Sequence, residues 1–591
     1  MAALIILAAS LPATAQGLLS PSAHVVGHGH PADCTQTALF AALDLGGVIT
    51  FNCGAAPTDI LFTTARTITA TTSLNGGDLI TLSGNNATRL FDVVSGFSLT
   101  LSHITLSNAK VVDDGGAIVN EPGASLVIDH ATFSDNKTDD THSGGAILNL
   151  GTLSISDSTF EHNRAGNGGA LFPRFSTSNT AITNTVFTHN FALNTINGWG
   201  GAILAWDGAV VTLQTSQFIS NTATRGGAIL VFDRALVSAQ ASQFISNTAT
   251  WGGALYVYPS SIPTLPATLT LTNSLLSYNL ADSGSPTVDA GGGAIYSNSR
   301  LILADTDLED NLTVVPPGFG FTGIRAGGAI WNSSAGTVEM TGGDLSRNRA
   351  LHGGALYNLG NVTITAATLA DNLAGRGGAI ENANNAGNRL VISATTLSGN
   401  EASFALYPSV TTPLGAAIFN TAHLALTNST LSGNSGSPAL QEDNSIITLT
   451  NVTLAENPND GLSSDQSPNT SQVRLYNTLL TDNGADNCGP IFFGTFTGAN
   501  NLSSDNTCAG WGVVDNQNGV DPLISPLGYH GGPNLTHMLA ANSPARNAGA
   551  NCPTTDQRGI LRPQGPACDI GAVERRLIDP FFALFLPLVR K

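Results

Sequence analysis

A phrase in two halves, repeated at short intervals, limits what this chain can fold into. Its first half, Gly-Gly-Ala-Ile or Gly-Gly-Ala-Leu, begins at Gly115, Gly144, Gly168, Gly200, Gly226, Gly252, Gly292, Gly327, Gly353 and Gly377. A worn copy, Gly-Ala-Ala-Ile, occupies Gly415–Ile418. The second half, Phe/Leu-x-x-Asn, ends at Asn136, Asn163, Asn190, Asn221, Asn247, Asn279, Asn311, Asn348, Asn372, Asn400, Asn434, Asn457 and Asn483. A spacing of about 29 residues is the signature of stacked structural repeats.

Each repeat reads as three short strands, as in Ala146–Asn149, Leu153–Ile155 and Thr159–Asn163. Alternation with period two marks half-buried strands, and helical spacing is absent. The expected fold is all-β: a right-handed parallel β-helix solenoid with three strands per coil. About 15 coils at ~4.8 Å each give a rod on the order of 70 Å long. Glycine permits positive φ at corners. A buried Asn at the same corner of successive coils can donate and accept along the stack. Cys34–Leu45 is the one helix predicted, N-capped by Thr35, stopped by Gly46 and placed to cover the first coil.

The interval from Ile/Leu to Phe/Leu within a repeat is nearly constant, whereas the interval from Asn to the next Gly-Gly varies widely. Insertions in solenoids collect on one edge, so this is the variable edge. The long loops Leu280–Gly291 and Leu312–Ala326, carrying Asp282, Asp289, Phe319 and Phe321, are expected to touch.

A formal charge of −19 with three lysines (Lys110, Lys137, Lys591) opposes nucleic-acid binding, which needs clustered cations. Ala2–Leu11 is apolar and precedes Ala13-Thr14-Ala15, the form of an export signal, although the first basic residue is Arg66. Six cysteines form close pairs, Cys34/Cys53, Cys488/Cys508 and Cys552/Cys568; pairing of nearest neighbours is the economical arrangement and suits an oxidising compartment. No stretch is long and apolar enough for an integral membrane span. The chain divides into a signal peptide (1–15), an N-terminal cap (16–59), the parallel β-helix (60–483), a disulfide-bearing cap (484–520), a C-terminal domain (521–574) and a sorting-type tail (575–591).

The alternating Gly-Gly-Ala-Ile and Phe-x-x-Asn phrases, over residues 100–483, resemble the repeats of the polymorphic outer membrane proteins known from chlamydiae. They are equally similar to bacterial β-helix surface proteins. The resemblance implies an adhesive passenger. Seventeen residues follow Glu574, too few for the membrane β-barrel that ends the chlamydial proteins. Asp521–Leu523, Gly531–His537, Asn542–Ala545, Asp556–Gly559 and Cys568–Glu574 resemble the choice-of-anchor type of C-terminal domain, which implies surface sorting.

Trp199, Arg225 and Trp251 hold the position before Gly-Gly in three consecutive repeats, so the guanidinium is expected between two indoles, as a turn-closing ladder or a glycan-stacking row. His352 and Arg376 hold the same slot later. Asp113-Asp114 and Asp139-Asp140 read as solvated loop carboxylates; Ca2+ is the one cofactor they would suit, and no metal site is assigned. Asp556, Arg558, Arg562, Asp569 and Glu574 suggest a charge network in the C-terminal domain. The reading is an exported adhesive, glycan-binding or structural protein, a monomeric rod meeting a polysaccharide or cell-surface partner. The rival reading is a polysaccharide lyase or glycoside hydrolase on the same scaffold, for which no Asn-Thr-Asp or Arg-Ile-Lys motif is present.

Overall fold

The computed structural model describes residues 22–193, 198–314, 322–384, 387–403, 412–464, 471–489, 494–511 and 516–576. It is a parallel β-helix. A representative coil lays down Ile147–Asn149, Thr152–Ser156 and Thr159–Glu161, then a two-residue strand at Arg164–Ala165. Each pairs in parallel with its equivalent one repeat on, for example Ile147 with Leu171, Ile155 with Ile182 and Phe160 with Phe187. The eleven strands that follow the Gly-Gly-Ala-Ile phrase and its worn copy, with two before and two after them, form one 15-stranded sheet. The other two strand families form a 34-stranded sheet, joined where Ser98–Ser107 and Ser125–Ser134 run continuously round their shared corner.

The two glycines of the phrase have different reasons. The first has φ between +54° and +75° in every full copy, the left-handed region that L side chains resist. The second is excluded from having a side chain by its neighbour. A Cβ on Gly116, Gly145, Gly169, Gly201 or Gly227 would lie 2.0–2.1 Å from the carbonyl oxygen of the corresponding glycine one coil on. In the worn copy Ala416 takes the second position, and its N–H donates to the Pro438 carbonyl one coil on.

Inside, like stacks on like. Ile118, Ile147, Leu171, Ile203 and Ile229 form one buried column, and Phe133, Phe160, Phe187, Phe218 and Phe244 another. These phenyl rings lie near parallel with centroids 4.7–4.9 Å apart. The Asn column is wholly buried and hydrogen-bonded: each Nδ2 donates to the Oδ1 of the next Asn, from Asn136 through Asn457 to Asn483.

At the N-terminal end, α1 (Gln36–Leu45) starts with the Thr35 Oγ1 accepting from the Ala38 N–H and stops at Gly46, φ +67°. Leu39 and Leu43 close the first coil, and Phe40 meets Phe62 edge-on. The disulfides are Cys34–Cys53, Cys488–Cys508 and Cys552–Cys568, the nearest-neighbour pairing.

The C-terminal segment turns back and lies along the rod. Asn534 bonds Thr368 and the Ala394 carbonyl, Gln557 bridges Thr396 and Thr430, and the Ala572 N–H donates to Thr453. Its interior holds the expected charge network: Arg558 pairs with Asp556 at 2.8 Å and Arg562 with Glu574 at 3.1 Å, all nearly dry. The Asp569 N–H donates to the same Glu574 carboxylate.

Candidate functional site: an aromatic face on the Gly-Gly strands

In a strand whose Ile and Asn point inward, the residue between them points out. That outward column runs Val119, Leu148, Phe172, Leu204, Leu230, Tyr256, Tyr296, Trp331, Tyr357, Glu381 and Phe419, in register throughout. On one side stands the slot before Gly-Gly; on the other stands the residue after the strand, including Arg174, Trp206, Phe232 and Tyr258. The three columns together make a face rich in rings. Four of the chain's five tryptophans and four of its eight tyrosines lie on it, which singles it out among the described residues.

The middle column is buried beneath its flanks except at Tyr296, which is half-buried like the flanking Trp199, Trp206, Phe232, Trp251 and Tyr258. Trp199 meets Trp206 and Phe232 edge-on at 6.3 and 5.6 Å, and Tyr258 at 5.9 Å. Trp251 meets Tyr296 and Trp331 at 5.2 and 5.5 Å. Arg174 places its guanidinium over Phe175 and Trp206 at 4.5 and 5.0 Å. Burial pushes the Tyr256 and Tyr357 phenols far above the ordinary range and Tyr296 to about 12, so all three are neutral hydroxyls at any physiological pH.

Trp199, Arg225 and Trp251 pair as backbones in successive coils, as their spacing predicts. The expected sandwich of a guanidinium between two indoles is replaced by another packing. Each indole leans across onto the adjacent columns, and the Arg225 guanidinium sits over Tyr258 at 5.9 Å. The reason is reach: the outward neighbours of Gly-Gly-Ala-Ile lie beside the slot and offer edge-to-face partners that a bare stack does not.

The face ends in a polar group. Glu381 takes the middle column between Tyr357 and Phe419 with a side chain only 6% exposed. Its Oε2 lies 2.8 Å from His352 Nδ1, and Arg376 Nε is 4.0 Å from Oε1. The Arg376 guanidinium covers the Phe419 ring at 4.6 Å. With Nδ1 turned to the carboxylate, Nε2 is the His352 ring nitrogen left for another partner.

The variable edge is arranged as a built loop pair. Ala290–Gly291 pairs with Arg325–Ala326, so the two long loops do touch. The Asp282 carboxylate accepts from the Gly284 N–H and that of Asp289 from the Ile324 N–H, while buried Arg325 donates to the Ser285 and Val288 carbonyls. Phe319 and Phe321 lie outside the described residues. Asp114 and Asp139 accept loop hydrogen bonds from Ser143 and from Thr141 and His142, and Asp140 pairs with Arg164.

Among the described residues no helix is long and apolar enough to cross a membrane. No protein-family model matches the chain, and no curated protein matches it. Among solved structures it is similar to an alginate lyase of the PL6 group in complex with a trisaccharide (11% identity, TM-score 0.33, 70% of this chain and 82% of that one). It is also similar to PfbA, a surface adhesin of Streptococcus pneumoniae (12%, TM-score 0.31, 78% and 92%). A third is the tailspike protein of E. coli bacteriophage HK620 with a pentasaccharide (12%, TM-score 0.30, 81% and 76%). Likeness at this level transfers no chemistry between chains, so what the aromatic face does is read from its own residues.

Proposed function

We propose that this is an exported, surface-associated β-helix protein that binds glycan chains along its aromatic face. The observation that carries the reading is the cluster of half-buried rings on one side of the rod, Trp199, Trp206, Phe232, Trp251, Tyr258 and Tyr296, backed by the buried rings of Phe172, Tyr256, Trp331 and Tyr357. A pyranose ring has an apolar C–H face that matches an aromatic surface. Its hydroxyls need partners, which His352 Nε2 and the Arg376 guanidinium supply at the end of the run. Indole and phenol rings bring large contact area with a polar handle at little entropic cost. Three disulfides support an oxidising compartment. The apolar segment Ala2–Leu11 supports export, and the choice-of-anchor-like phrases of 521–574 support retention at the cell surface.

Retention of the purified protein on a panel of immobilised polysaccharides tests this. The wild type should be held by at least one glycan, and Trp199→Ala with Trp251→Ala should weaken that binding at least tenfold with the fold intact. No retention anywhere on the panel, or unchanged retention of the double variant, defeats the reading. A glycan-cleaving role is favoured by one observation, the His352–Glu381 pair beside Arg376, because a carboxylate-held imidazole is the form of a general base. The same panel, scored for new chain ends with wild type and His352→Gln, decides it.

A further inference from the structure

A second constellation lies away from the aromatic face, at the corner of the 34-stranded sheet near the N-terminal end. His103, His130, Asp157 and Asn184 occupy that corner in successive coils, all in the left-handed conformation with φ of 47–50°. The His103 and His130 rings stack at 4.9 Å. Each ring is gripped from one side by a carboxylate. Asp78 Oδ1 lies 3.1 Å from His103 Nδ1, and Asp129 Oδ1 lies 3.1 Å from His130 Nδ1. Ser156 Oγ in turn fixes Asp129 at 2.7 Å. The Asp78 carboxylate on Nδ1 leaves the His103 lone pair on Nε2, whereas Asp129 is itself a donor and would exchange its contact with His130 for the ion.

The geometry points to a transition-metal site, filled by Zn2+, that clips these two coils together. A carboxylate on one ring nitrogen and a metal on the other is the recurring arrangement of metal-bound histidine. The donor atoms of His103, Asp129 and His130 already lie within 4.8 Å of one another. A tetrahedral zinc ion wants them about 3.4 Å apart, given bonds of ~2.0–2.1 Å. The side chains are 38%, 39% and 51% exposed, which gives the two imidazoles and Asp129 room to rotate toward a shared ion. Imidazole donors select zinc over calcium, which takes oxygen alone.

The chain carries its own control. His162 and His189 also stack coil on coil, at 5.3 Å, but His189 Nδ1 is taken by the Thr188 hydroxyl, and among the described residues no carboxylate is bonded to either ring. Isothermal titration of the untagged, metal-free protein with Zn2+ tests the site. Asn replaces His without strain, because Asn184 already holds this corner conformation. The expected result is one equivalent bound, with affinity at least tenfold weaker in His103→Asn and in His130→Asn, and unchanged in His162→Asn. Asp78→Asn, which keeps both rings, should lose about tenfold through the outer carboxylate alone. An unmetallated wild type at millimolar Zn2+, or a His103→Asn/His130→Asn double variant that binds as well as wild type, overturns the proposal.

Discussion

Asn221 Nδ2 donates to Asn247 Oδ1 at 3.0 Å, and the same oxygen accepts from the Asn221 backbone N–H at 3.0 Å, both in a dry interior. Asn247 Nδ2 also donates to the Phe218 carbonyl at 2.9 Å. One amide thus satisfies three polar groups of the preceding coil. Asn247→Ala leaves two donors and one acceptor unpaired, and each orphaned buried group costs about 1–3 kcal/mol. The expected loss is at least about 3 kcal/mol on that basis. Because repeats couple mainly to their neighbours, it should appear as faster hydrogen exchange in coils 187–279 and leave α1 untouched.

The column of second glycines makes a sharper prediction. A Cβ at Gly227 would stand 2.1 Å from the Gly253 carbonyl oxygen and 2.7 Å from that of Thr248, atoms that belong to backbone and cannot swing away. Gly227→Ala must therefore push neighbouring coils away from each other. We expect destabilisation of roughly 4 kcal/mol or more, the range reserved for forced core distortion. Urea denaturation reads it; a loss under ~1 kcal/mol, the helix-type cost of a glycine exchange, would show that the coils are not in contact there.

How much of this was legible in the sequence depended on whether a residue's role repeats. The inward Ile, Phe and Asn columns recur in every coil, so their periodicity announced the stack, and α1 was marked by Thr35 and Gly46 at its ends. The disulfides followed from proximity along the chain. The aromatic face was only half visible. Trp199 and Trp251 stood out because they share one slot, but Trp206, Tyr256, Tyr296, Trp331 and Tyr357 sit two or more residues further on, in columns shared with Leu and Val. The available signal was the outward parity of the residue after Ile in Gly-Gly-Ala-Ile, which places Tyr256, Tyr296, Trp331 and Tyr357 in one line. Glu381 in that same line was hidden because its meaning comes from His352, twenty-nine residues away. The return of the C-terminal segment along the rod has no periodic trace at all. It depends on small Thr side chains at 368, 396, 430 and 453 meeting single backbone groups or side chains far along the chain.

That docking is predicted to be sensitive to acid through His537. The ring is 2% exposed, with Nδ1 donating to the Ser525 carbonyl at 2.8 Å and Nε2 accepting from the Ser432 hydroxyl at 3.0 Å. Burial lowers its pKa below the ordinary 6.5, outweighing the opposite pull of the Ser525 carbonyl, Glu456 and Asp482. In the unfolded or undocked chain the ring protonates near 6.5; in the docked state it resists. The docked state therefore binds fewer protons, its stability is fully present above pH 6.5, and it declines as pH falls below that value. Limited proteolysis should cut 521–576 slowly at pH 7.5 and faster at pH 5, while the coils from 98 to 366 stay resistant at both. His537→Gln keeps a donor and an acceptor but cannot titrate, so it should flatten the profile between those two pH values. A variant whose cleavage still accelerates at pH 5 as the wild type does would place the acid sensitivity in another group.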